Sequence, residues 1–231
     1  PILAEMASTV ARRLYLPGRP APGGWPVARL GLAVLVLFAL LVGADLISLF
    51  DLSTGETVVI GIRMLVPVLI LRWWLVGGVA AMLVDGLDVV ITDALDMGGF
   101  GSHYAELDKV LDTYYLTLEL LVALTWQNAW ARIPAVGLFA YRLVGFVLFE
   151  VTGQRIMLFI FPNVFEIWWL YCVVVMKWFP GAVPGGWKSL LVPMVLLLVP
   201  KMAQEYLLHF AEAKPWGWIQ ENILAPVGID F

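Results

Sequence analysis

This chain is poor in the residues from which most enzyme motifs are made. Its one cysteine, Cys172, stands in an apolar run and excludes an internal disulfide. Its two histidines, His103 and His209, sit at unrelated positions and make no zinc or haem ligand set. There is no G-x-S-x-G element, no Walker loop and no G-x-G-x-x-G fingerprint, so the nucleophile elbow and the glycine-loop phosphate cradles are excluded. Charge is scarce: 14% of residues are Asp, Glu, Lys or Arg, against about 25% in a soluble domain. The net charge of −4 is the wrong sign for a nucleic-acid partner. Residues 1–27 lack the continuous apolar core of a cleavable signal peptide. No internal repeat or low-complexity tract stands out.

Apolar residues dominate instead. The chain is 61% hydrophobic with a mean hydropathy of +0.89, the composition of an integral membrane protein. Eleven tryptophans fit a protein with two membrane interfaces. Residues 1–27 read as an N-terminal cytoplasmic or interfacial segment, 28–210 as a transmembrane helical domain, and 211–231 as an interfacial C-terminal tail carrying Trp216 and Trp218. A helix of about 20 apolar residues crosses the hydrocarbon core. The candidate spans are 30–50, 58–71, 75–95, 106–130, 133–151, 156–178 and 187–210, of which 58–71 is short. Gly77-Gly78 reads as the tight turn between the second and third. The expected fold is all-α, a polytopic bundle of six or seven transmembrane helices. With alternating spans, Arg12, Arg13, Arg19, Arg29, Arg72, Arg132, Lys177 and Lys188 share the N-terminal face, and Lys109, Arg155 and Lys214 the other. That bias puts the N-terminus in the cytoplasm of a plasma or inner membrane.

The acids are concentrated in one stretch. Residues 85–112 read DGLDVVITDALDMGGFGSHYAELDKVLD. Asp85 and Asp88 are three apart and share one helix face, as do Asp108 and Asp112, four apart. The glycine-rich connection makes the two helices antiparallel neighbours, so four carboxylates can converge. Such a group repels itself at low dielectric. A divalent cation would neutralise it, and oxygen-only ligands favour Mg²⁺, Mn²⁺ or Ca²⁺ over zinc. Basic side chains at the same end, Arg63, Lys109, Arg155 and Lys201, could do so instead. Asp93 and Asp96 also read as solvated helix-end acids. Deeper in the spans, Asp112, Tyr115 and Glu119 follow one helix face, and Glu166 lies at similar depth. Intramembrane acids are costly and are paired or functional. These form either a proton or cation path or structural pairs with Arg142 or backbone groups. Lys201 and Glu205, four apart, pair with each other.

The stretch resembles the signature of the CDP-alcohol phosphatidyltransferases, Asp-x2-Asp-Gly-x2-Ala-Arg followed by Gly-x3-Asp-x3-Asp. The segment TVVIGIRMLVPVLI is similar to that family's opening helix, with its Thr and Arg. The resemblance implies six membrane helices and transfer of a phosphoalcohol group to an acceptor alcohol. It implies divalent metal, Mg²⁺ or Mn²⁺, on Asp85, Asp88 and Asp108, and Asp112 as the base on the acceptor hydroxyl. Arg63, Lys109, Glu119, Arg155, Lys201 and Glu205 are the candidate supporting residues. The motif's Gly, Ala and Arg positions hold Val89, Thr92 and Asp93 here. Three readings follow: a divergent metal-dependent relative acting on a lipid-linked alcohol or phosphate, a non-catalytic membrane subunit or lipid-binding scaffold, and a cation or proton transporter. Membrane lipids are the expected partners in each, with a homo-oligomer or a membrane complex as the assembly.

Overall fold

In the computed structural model every element among the described residues (54–88, 90–91, 104–207, 215–224 and 226) is helical. Segment 1–27, the expected span 30–50, the connection with Asp93, Asp96 and His103, and His209 lie outside the described residues.

Helix α1, Thr54–Leu65, carries Arg63 in its last turn. Pro67 then removes a backbone donor, and the chain tightens into a 3-10 helix over Val66–Leu71. It reverses at Arg72 and Trp73, where the Trp73 amide donates to the Leu69 carbonyl at 2.8 Å. Helix α2 is Trp74–Gly86. Gly77 and Gly78 are therefore not the turn; both lie inside α2. A Cβ on Gly77 would come within 2.2 Å of the Ile70 amide nitrogen, and one on Gly78 within 2.5 Å of the Trp169 ring. Their missing side chains let α2 touch the preceding segment on one side and a distant helix on another, as small residues do in membrane bundles.

Helix α3 is Tyr104–Leu124 and α4 is Ala129–Thr152. The break falls earlier than the expected 130–133 because Asn128 caps α4, its side chain accepting from the Trp130 and Ala131 amides. The Asn128 amide also donates to the Pro184 carbonyl at 2.8 Å, tying this turn to the one that precedes the last long helix. Helix α4 ends on Gly153, in the left-handed region at φ 65°.

The expected single span 156–178 is broken into α5, Ile156–Ile160, and α6, Val164–Trp178. Pro162 accounts for the break: it lacks an amide hydrogen and disfavours helical backbone at Phe161. The freed carbonyls are satisfied by α4, where the Tyr141 hydroxyl donates to Ile160 at 2.6 Å and Arg142 to Phe161 at 3.1 Å. Helix α7 is Trp187–Glu205. The tail holds a short helix α8, Pro215–Ile219, and a π turn, Gln220–Leu224.

Among the described residues, two stretches, 129–152 and 156–178, are long and apolar enough to cross a membrane. Helix α3 lies at the centre, against α1, the 3-10 segment, α2, α4 and α6. Trp168, Trp169 and Phe165 of α6 are fully buried beside its Leu118, Val122 and Ala123. The indoles donate to the Ala131 and Glu119 carbonyls at 3.1 and 2.8 Å. The outward faces of α4 and α7 are apolar, with Ile133, Val147, Val151, Val192, Leu196 and Val199 exposed, while most of the charged side chains of the spans point inward.

Candidate functional site

Arg63 is the centre of the acidic cluster. It is 3% exposed, and its guanidinium reaches four carboxylates from two other helical segments. Nη1 donates to Asp88 at 2.9 Å and to Asp108 at 2.7 Å. Nη2 donates to Asp112 at 2.8 Å and also contacts Asp85. The spacing explains the arrangement: Asp85 and Asp88 leave one side of α2 and its C-terminal extension, and Asp108 and Asp112 one side of α3. Tyr114 fixes the register between α3 and α1, its hydroxyl donating to the Met64 carbonyl at 2.9 Å. Lys109 adds a second cation, paired with Asp108 and, at 3.2 Å, with Asp112.

Among the described residues, four carboxylates thus make ion pairs with two cations, Arg63 and Lys109. The ordinary use of a buried arginine is one bidentate carboxylate. Here a single planar fork is divided among four, so no carboxylate has it to itself. Asp85, Asp108 and Asp112 each offer an oxygen within 4.8 Å of the others, close enough to hold a metal ion. All three donors are hard oxygens, the set that suits Mg²⁺, Mn²⁺ or Ca²⁺. Asp88 stands outside this group of three, turned to Arg63 Nη1 and largely buried.

The other candidates fall in three places. Lys201 and Glu205 belong to a second polar cluster, at the break between α5 and α6. Lys201 Nζ lies 3.3 Å from Glu205, 3.5 Å from Glu166 and 3.1 Å from the Gln204 side-chain oxygen. Glu166 also accepts from the Tyr115 hydroxyl at 2.8 Å and from the Asn163 side chain at 3.0 Å. Glu205 accepts from the Asn163 backbone amide at 3.2 Å, and so satisfies a donor exposed by the broken helix. The partner of Glu166 is therefore Lys201, and Arg142 is spent on the Phe161 carbonyl instead. Glu119 is fully buried, and neither of its carboxylate oxygens has a hydrogen-bond partner. Arg155 sits exposed at the start of α5.

Two features escaped the sequence. Arg63 was legible as one of several bases at this end, but not as the hub. Glu56, outside the candidate spans, is buried at 7% exposure on α1. Its spacing of seven from Arg63, two turns along the same face, was the available signal. Scans against protein-family models, curated proteins and solved structures found no match for this chain.

Proposed function

We propose that the chain is an integral membrane protein of six or seven spans with a divalent-cation site at the aspartate cluster, and that it is a divergent relative of the CDP-alcohol phosphatidyltransferases acting on a lipid-linked alcohol or phosphate. The observation that carries this reading is the convergence of the aspartates round Arg63, with Asp85, Asp108 and Asp112 each offering an oxygen within 4.8 Å of the others. The membrane reading is supported by the inverted surface, apolar outside and charged within. It is supported too by exposed Trp73, Trp130, Trp178 and Trp187 beside Arg72, Arg132, Lys177 and Lys188, the pattern of a cytoplasmic interface.

Asp85 and Asp108 would hold the cation, Mg²⁺ or Mn²⁺, with Asp88, the third ligand that the family resemblance implies, held on Arg63 Nη1 in this structure; when bound the cation supplies Lewis-acid polarisation of a phosphoryl oxygen. Asp112 takes the proton of the acceptor hydroxyl, as a carboxylate already held in place by Arg63 and Lys109. Arg63 keeps the four acids together before substrate arrives. Asp93 stands where the family has its phosphate-binding arginine, so the substrate is assigned only as a lipid-linked alcohol or phosphate.

A second reading has its own observation. Because Arg63 touches all four acids, the cluster also fits an ion-paired rivet in a non-catalytic membrane subunit. Equilibrium dialysis of the purified protein against Mn²⁺ separates the two. The enzyme reading expects one saturable site, lost in Asp85→Asn and Asp108→Asn. Absence of binding above buffer sinks it and favours the rivet. The Asp112→Asn variant is expected to fold, retain Mn²⁺ and lose headgroup transfer in lipid vesicles.

A further inference from the structure

The buried face of α4 is made of small residues with one exception. Ala131, Ala135, Arg142 and Gly145 are its buried positions, spaced to share one side of the helix. Arg142 is 6% exposed and lies within a stretch long and apolar enough to cross a membrane. Its Nη1 donates to the Phe161 carbonyl at 3.1 Å, its one hydrogen bond among the described residues. It makes no ion pair with any carboxylate among them. A freed carbonyl does not need a charge: the neutral Tyr141 hydroxyl serves the neighbouring Ile160 carbonyl at 2.6 Å. A buried guanidinium without an anion is uncompensated, which a low-dielectric interior penalises heavily. Nε and Nη2 are left as a parallel pair of donors, the edge that takes a carboxylate or phosphate two-pronged.

The depth of Arg142 follows from the helix pair that carries it. Helices α3 and α4 pack together as an antiparallel hairpin joined by residues 125–128. Asp112 precedes the end of α3 by about as many residues as Arg142 follows the start of α4. At ~1.5 Å per residue, both lie about 20 Å from the shared turn. Lys109 and Asp112 are within electrostatic reach of Arg142. Asp112 is already committed to Arg63 and Lys109, at 2.8 and 3.2 Å, and does not answer Arg142.

We propose that Arg142 binds a phosphate group inside the bundle, at the depth of the aspartate cluster. The anion site stands on the unanswered guanidinium; its ligand class rests on the reading that the chain acts on a lipid-linked alcohol or phosphate. An alkyl phosphate suits the place, since its oxygens take the free guanidinium edge and its chain stays in the hydrocarbon around α4. Free phosphate presents the same oxygens.

Calorimetric titration tests it, with hexyl phosphate and inorganic phosphate added in EDTA to the full chain in phosphatidylcholine nanodiscs, against empty nanodiscs. Hexyl phosphate is expected to bind the wild type at one saturable site. Arg142→Gln should weaken it about ten- to hundredfold, the worth of a charge-assisted hydrogen bond. Arg142→Lys keeps the charge without the fork and should fall between. Glutamine still offers a donor to the Phe161 carbonyl, so Arg142→Gln should fold, and hexyl phosphate should raise the thermal midpoint of the wild type alone. Arg72→Gln, at the exposed turn, should bind as the wild type does. Inorganic phosphate binding as tightly as hexyl phosphate supports the site with the free ion as its source; weaker binding supports it with an alkyl phosphate. No binding of either by the wild type overturns the proposal with no variant required. So does unchanged affinity in Arg142→Gln, or an equal loss in Arg72→Gln. Dialysis against Mn²⁺ separates this from the cation reading: Mn²⁺ held without phosphate binding sinks the Arg142 site alone, and phosphate bound without Mn²⁺ sinks the cation site alone.

Discussion

Arg63 bears the largest single electrostatic responsibility in the described structure. Removing one member of a buried ion network leaves the others uncompensated, at a cost of about 3–5 kcal/mol. Arg63→Gln is therefore expected to lower the thermal midpoint of the detergent-solubilised protein sharply, and Arg63→Lys by less. A lysine keeps the charge but cannot divide it between two donor nitrogens aimed at four carboxylates. Millimolar Mg²⁺ should recover part of the Arg63→Gln loss, because added positive charge stands in for that of the guanidinium. No recovery would mean that the carboxylates cannot gather round a free ion. The four aspartates were legible as helix-face pairs from their spacing alone. Their common partner was not, since Arg63 stands 22 residues from Asp85 and 49 from Asp112.

The helices meet where side chains are absent and where backbone groups are released. Gly78→Val would drive a side chain into the Trp169 ring and is expected to cost about 1–3 kcal/mol, the range for overpacking. Gly137→Ala, on α4 with open space at its Cβ, should be neutral or stabilising by up to about 1 kcal/mol. Chemical denaturation of the two variants side by side measures the difference; equal effects would sink the contact argument. At the α5–α6 break, Asn163→Ala removes the cap from Glu166 and one donor to its carboxylate, and should cost about 1 kcal/mol or more. Pro162 stands within the expected span 156–178, and its effect is local. The glycine pair was misread as a turn because glycine signals both a turn and a close approach, and only the neighbours distinguish them.

At the scale of the whole molecule, exposed tryptophans cluster at the turns near 73, 130 and 178–187, while α4 and α7 present bare aliphatic faces. Two turns of that end are joined by the Asn128–Pro184 bond. If this end is a membrane interface, brominated lipids labelled near the headgroup should quench the tryptophan fluorescence of the reconstituted protein more than lipids labelled near the bilayer centre. Equal quenching by both, or release of the protein from membranes by alkaline carbonate without detergent, would overturn the membrane reading. The all-helical character was legible throughout, since long apolar runs without strand-like alternation leave little else.

By itself, the sequence determined composition, helix periodicity and the pairing of acids along single helix faces, all of which are local properties of the chain. It did not determine where proline interrupts a helix: Pro162 breaks the expected span 156–178, whereas Pro134, Pro193 and Pro200 lie inside helices. Tertiary structure alone decided which charges meet: Arg63 with four aspartates, Lys201 with Glu166, Arg142 with a carbonyl, and Glu119 with no hydrogen-bond partner among the described residues. The physical reason is that periodicity sets which residues share a face, whereas the rotation and depth of each helix set which faces touch. In a low-dielectric interior, that second choice determines whether a charge is paired, shared or protonated.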